Sequence, residues 1–183
     1  MLKPRLLLPS LLLTLPLATQ ARDWAADPAQ STLGFKGTYS GEGFTGKFKK
    51  FDATISYDEA DLSKAKFDVT IDVASVDTAS SERDDSLKGE DFFDPGKFPQ
   101  AHFVTESFAR AADGGVEAKG QLTIRDKTQA VTLKVKFVAT GDKATLDVDT
   151  VLKRAAFGLG TGSDWNDIGA DVPVHGHLVL TGK

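Results

Sequence analysis

The run Val131-Thr132-Leu133-Lys134-Val135-Lys136-Phe137 alternates apolar and polar residues without a break. Such a period of two gives a strand one dry face and one wet face. Phe67, Val69, Ile71 and Val73 alternate in the same way with Asp68, Thr70 and Asp72, and the pattern returns in Leu33-Phe35-Gly37-Tyr39, Leu122-Ile124, Leu146-Val148 and Val172-Val174-Gly176-Leu178-Leu180. Helical spacing is nearly absent. Turn residues such as Asp113-Gly114-Gly115 and Gly141-Asp142 separate neighbouring runs. The spacing predicts eight strands, near residues 30–39, 43–57, 65–77, 101–110, 115–125, 130–140, 143–153 and 171–181. Short connections make their sheet antiparallel.

One irregularity bears on how the sheet curves. Phe44-Gly46-Phe48 and Phe51-Ala53-Ile55-Tyr57 are each in phase but offset by three, so a bulge at Lys49-Lys50 brings both sets to one face. Bent, bulged strands suit a closed barrel better than a flat sandwich, although alternation alone leaves the sandwich open. The expected fold is all-β, with a short helical segment after the third strand.

That segment begins the main interruption, Ser81 to Phe108, SERDDSLKGEDFFDPGKFPQAHFVTESF. Ser81 with Asp84 three residues later resembles a capping box, and Gly89 offers a stop. Behind the charges come Phe92, Phe93, Phe98 and Phe103, a composition suited to closing a greasy cavity while presenting ionic contacts at its rim. A second interruption, Phe157 to Gly169, is glycine-rich and carries Trp165.

The N-terminus reads as a secretory signal. Lys3 and Arg5 precede an apolar run from Leu6 to Leu17, and small residues near Ala21 fit a cleavage site, so residues 1–21 are expected to be removed and residues 22–183 to form the domain. Loss of Lys3 and Arg5 from the 22 basic residues leaves 20 against 26 acidic ones, a net charge near −6 that argues against nucleic acid as a partner. The chain has no cysteine, which excludes disulfides, thiolate metal sites, a cysteine nucleophile and a lipidated cysteine anchor.

The chemical motifs are weak. Gly158-Leu-Gly160-Thr-Gly162 lacks a P-loop lysine and a surrounding βαβ unit. Asp164, Asn166 and Gly169 only partly imitate a calcium loop, because Ile168 takes a ligand position and His175 stands where the bidentate Glu belongs. His175 and His177 share one strand face, yet no third ligand is evident, so no metal site and no cofactor are expected. Neither a G-x-S-x-G elbow nor H-E-x-x-H is present, and the chain is read as a binding protein, with a lipid-modifying hydrolase or isomerase as the alternative.

Twelve phenylalanines outnumber the two tyrosines and two tryptophans three to one, so the aromatic surface has few polar handles and makes a dry lumen. The expected lining is Phe35, Phe44, Phe48, Phe67, Val69 and Ile71 from the first three strands, with Phe92, Phe93, Phe98 and Phe103 from the interruption. Leu122, Ile124, Leu133 and Val135 extend it, and Phe157 and Trp165 complete it. Arg83, Lys88, His102 and Arg154 are the candidate rim for a polar headgroup, although Arg83 and Asp84 also suit a mutual pair or a helix cap.

On these residues the chain resembles the YceI-like family of periplasmic polyisoprenoid-binding proteins. The resemblance runs through residues 24–182 and is strongest in Ser81 to Phe103, in Gly120-Gln-Leu-Thr-Ile-Arg125 followed by Val131-Thr-Leu133, and in Arg154-Ala-Ala-Phe157-Gly158. It departs from the family pattern at Gln30, Asp126 and Ala155-Ala156. What the resemblance implies is an extended, lipocalin-like antiparallel barrel with a long tunnel for an isoprenoid chain, the ligand being a polyprenyl lipid or an isoprenoid quinone. It further implies a periplasmic carrier, a homodimer, and, for a quinone, a membrane electron-transfer partner; because a bilayer already keeps a lipid tail dry, the carrier is expected to exchange lipid with membranes.

Overall fold

The computed structural model describes residues 21–183, so the expected leader, apart from Ala21, lies outside the described residues. In chain order the elements are β1 (Arg22–Ala26), β2 (Thr32–Tyr39), β3 (Glu42–Phe48), β4 (Phe51–Tyr57), β5 (Lys66–Asp72), β6 (Val76–Asp77), α1 (Ser81–Leu87), β7 (Gln100–Arg110), β8 (Val116–Ile124), β9 (Lys127–Thr140), β10 (Lys143–Lys153) and β11 (Asp171–Gly182). Strands β1, β4, β5, β7, β8, β9, β10 and β11 follow one another round a ring, and β1 closes it by pairing with β11. The ring is a closed eight-stranded antiparallel barrel.

The remaining strands lengthen the wall at one end. β2 pairs with β11, β3 with β2, and β6 with β3, so β1–β2, β3–β4 and β5–β6 each behave as one long strand with a kink. The kink falls where the bulge is expected, but it is a break in the strand opposite the 3₁₀ turn Val73–Ser75: Lys49 N–H donates to Ser75 O at 3.1 Å and Lys50 N–H to Ser75 Oγ at 3.0 Å. Phe48 and Phe51 consequently both point inward, each against a different core cluster.

Two features depart from the expected pattern. β1 was not anticipated, because Arg22-Asp-Trp-Ala-Ala26 is too short and too alanine-rich to alternate visibly, yet it supplies buried Trp24 and closes the ring. The helix cap is Ser80, one residue before the expected Ser81, with its Oγ accepting from Arg83 N–H at 3.4 Å. Asp84 does not complete a capping box. Its Oδ1 instead accepts from Thr78 N–H at 2.8 Å and Thr78 Oγ–H at 2.6 Å, tying the helix to the end of β6.

The interior divides along the barrel axis. One half is a solid plug of Trp24, Ile55, Tyr57, Phe67, Leu146 and Leu180, each at most 3% exposed. Its aromatic rings interlock: Tyr57 and Phe137 lie 4.6 Å apart between centroids, Phe67 and Phe108 4.9 Å, and Trp24 and Phe137 5.2 Å. The other half gathers Val73, Phe92, Phe93, Phe103, Ile124 and Phe157 around empty space.

Candidate functional site

The hollow half encloses a cavity of about 610 Å³, within the range of small-ligand sites. It exists because aromatic side chains lie along its wall instead of across it. In the β2–β3 hairpin Phe44 faces Gly37 and Phe35 faces Gly46, and a Cβ at either glycine would collide with the opposite ring. The missing side chains leave room for the tip of each ring over the neighbouring strand's backbone, and the two rings meet edge-on at 6.4 Å. Phe35 and Phe48 pack at 5.7 Å, Phe48 meets Phe93 edge-on at 5.6 Å, and Phe92 meets Trp165 edge-on at 4.9 Å.

Most of the expected lumen residues line this cavity. Phe35, Phe44, Phe48, Val69 and Ile71 do so from β2, β3 and β5; Phe92, Phe93 and Phe103 from the interruption and β7; Leu122, Ile124 and Leu133 from β8 and β9; Phe157 and Trp165 from the loop before β11. Three expected residues do not. Phe67 and Val135 point inward as their alternation requires, but they lie at the level of the plug and pack in it. Phe98 is outside the cavity, half-buried beneath the Arg125 guanidinium at 5.4 Å.

Further lining comes from Leu33, Val131, Val148, Leu152, Val172 and Val174. Their signal was present: they continue the inward phase of strands already recognised, and only their height along the barrel was hidden. Thr150 also faces inward, but its hydroxyl donates to Thr132 O at 2.9 Å. The lining therefore stays effectively dry at this position.

Polar side chains reach the cavity chiefly on one side, where Ser80, Glu82, Arg83 and Ser86 of the α1 region face the β2–β3 hairpin end. Tyr39 and Glu82 border the cavity and are exposed, so it opens to water here. Arg83 lies face-on over the Phe44 ring at 4.3 Å and donates weakly to Thr78 O at 3.4 Å, with no bond to Asp84. The serine hydroxyls are engaged locally, Ser86 with Glu82 O at 2.9 Å and Ser80 with Arg83 N–H. Glu82 and Arg83 keep hydrogen-bonding capacity at the mouth.

The other three rim residues have different places. Arg154 borders the cavity, but its guanidinium donates to the carbonyls of Leu159, Gly160, Trp165, Ile168 and Gly169, so all five of its N–H groups hold the loop that carries Trp165. Lys88 is half-buried beyond α1 and does not border the cavity. His102, expected at the rim, is on the outside of the barrel: it sits between inward Ala101 and Phe103, and strand alternation turns it to solvent. There its Nε2 pairs with Asp68 Oδ1 at 2.8 Å, a contact that holds the Asp68 carboxyl below its ordinary pKa.

His175 and His177 also face outward, as expected, and each pairs across the strand, with Asp149 at 2.8 Å and with Asp147 at 2.6 Å. Among the described residues no cluster of three or more His, Cys, Asp or Glu is placed to hold a metal. In the plug, burial and nearby Glu59 push the Tyr57 hydroxyl up to about 12.

Residues 24–180 match the YceI-like domain family. A UPF0312 protein of Shewanella denitrificans is 38% identical over 132 residues, which cover 70% of this chain and 69% of that protein. Burkholderia cenocepacia BcnA has a crystal structure 34% identical to this chain, with a TM-score of 0.80 and coverage of 85% and 99% of the two chains. A polyisoprenoid binding domain from Saccharophagus degradans, implicated in plant cell wall breakdown, shares the fold at 18% identity, with a TM-score of 0.68 and coverage of 90% and 100%.

Proposed function

The chain belongs to the YceI-like family, and from that premise we propose that it binds the tail of an isoprenoid lipid in its hollow half and carries or stores it without catalysis. The observation that carries this reading is the dry cavity of about 610 Å³, bounded on one side by the plug and open beside α1. At roughly 30 Å³ for each water-sized group it has room for on the order of twenty carbons, or about four isoprene units. Phenylalanines seated over glycines keep the lumen wide enough for a methyl-branched chain, and Arg83 offers a donor to the carbonyl of a quinone head or to another polar end at the mouth.

A hydrolase or isomerase needs a base that reaches the ligand. All three histidines, at positions 102, 175 and 177, lie off the cavity lining, and the carboxylate that borders it, Glu82, stands at the solvent-open mouth, which favours binding over turnover. The apolar run before residue 21 is the basis for placing the mature protein in the periplasm, where it would meet membrane lipids.

Each methylene taken from water is worth roughly 0.8 kcal/mol, but a membrane lipid already keeps its tail dry. Transfer from a bilayer is therefore nearly neutral, and the protein trades lipid with membranes. Prenyl alcohols of two, three and four isoprene units should bind with steeply rising affinity from water and with nearly constant affinity from phosphatidylcholine vesicles. Equal affinities from water across the series would contradict tail burial.

A further inference from the structure

β2 and β11 are joined by a ladder only where Thr32 to Phe35 faces Val174 to His177. Beyond it, β2 continues to Tyr39 beside β3, and β11 runs back to Asp171 beside β10. Pro173 stands at the first unpaired step and has no N–H with which to extend the ladder. The strands rejoin the chain only further on, where Gly169 N–H donates to Thr38 O at 3.0 Å and Tyr39 bridges to Ile168. The interval is a seam in the barrel wall.

An outer groove of about 490 Å³ lies on that seam, bounded by Lys36, Thr38, Lys153, Asp171 and Pro173. Gly37 and Gly169 border both this groove and the lipid cavity, so at these points the partition is a single layer of backbone, with the Phe44 ring against Gly37 and Thr38 against Gly169. The two spaces differ in chemistry. The cavity is dry, whereas the groove carries two lysines and one aspartate. Lys153 pairs with Asp171, and exposed Lys36 has no ion pair among the described residues. At the α1 mouth, by contrast, Arg83 shares the rim with one carboxylate, Glu82, and lies over Phe44.

Resting on the lipid-binding reading, we propose that the seam is a lateral exit for the head of an amphiphile whose tail fills the cavity, and that Lys36 binds that head when it is anionic, a phosphate or a carboxylate. The α1 mouth then serves uncharged heads. Net charge separates the two openings: the groove sets two lysines against one aspartate, whereas the mouth sets one arginine against one glutamate.

The test compares geranylgeranyl monophosphate with geranylgeraniol, which share one tail, on the full domain purified without detergent. Wild type should prefer the monophosphate. Lys36→Gln should reduce that preference about three-fold, the scale of one exposed ion pair, and Lys36→Glu should reverse it. Both variants should bind the alcohol like wild type, and Arg83→Gln should keep the preference. A preference unchanged in Lys36→Gln, or abolished by Arg83→Gln, overturns the lateral site while leaving the cavity reading intact. Loss of the preference in millimolar inorganic phosphate also overturns it, since the groove would then be a site for free phosphate. If wild type binds neither prenyl compound, the lipid reading fails and the lateral site fails with it.

Discussion

The two halves of this barrel are built from the same strands and nearly the same residue types, yet one is solid and the other is hollow. In the plug, Tyr57, Phe67, Phe108 and Phe137 stack across the axis, with centroid separations between 4.6 and 6.0 Å. In the hollow half, Phe35 and Phe44 lie along the wall because glycines stand opposite them. The lesson is that hydrophobicity alone does not make a core. What decides between core and cavity is whether large rings are given somewhere to lie other than the middle, and an eight-stranded barrel sits near the size at which either outcome is available.

Charge insertion should separate the halves most sharply. Ala118→Asp places an unpaired carboxylate at a wholly buried site in the plug and should prevent folding, whereas Val69→Asp borders open space and should abolish lipid uptake while preserving the β-sheet circular dichroism spectrum. Unfolding of the Val69 variant would mean that the hollow half is as solid as the plug.

Truncation should give the next largest difference. Phe67→Ala should lower stability by about 3–5 kcal/mol in urea titration, and Phe35→Ala by less than half of that, because Phe35 already faces space on one side. Equal costs would erase the distinction. The Phe35 variant should in addition take up bulkier prenyl chains.

The plug also has a pH signature. Tyr57 is neutral in the fold up to about pH 12 but ionises near pH 10 when unfolded, so its contribution is fully present below pH 10 and is lost as pH rises towards 12. The difference corresponds to about 3 kcal/mol, and Tyr57→Phe should flatten the decline in chemical denaturation between those values. On the outer wall, His102→Ala should change stability by under about 0.5 kcal/mol and leave lipid binding untouched, since its pair with Asp68 is exposed and off the cavity.

Much of this was legible in the sequence because strands with one wet face announce their phase. The eight expected runs coincide with the long strands, and the three-residue offset between Phe48 and Phe51 marks the kink that the hydrogen bonds to Ser75 hold. Phase also turns His102 outward between Ala101 and Phe103, although the composition of its neighbourhood had drawn it to the rim. Height along the barrel is a different quantity, and a period of two does not encode it. Phe67 and Val69 are equally inward, but the first packs in the plug and the second borders the cavity. Arg154 was hidden for another reason: its five carbonyl partners come from a loop with no periodicity at all.

Native mass spectrometry of the domain expressed with its leader and purified without detergent tests the central claim most directly. The account predicts a bound mass of roughly the size of a prenyl lipid, lost on organic extraction, regained from vesicles containing geranylgeraniol, and absent from Val69→Asp. A wild-type protein that emerges at its bare mass and takes up no prenyl chain from those vesicles would contradict it.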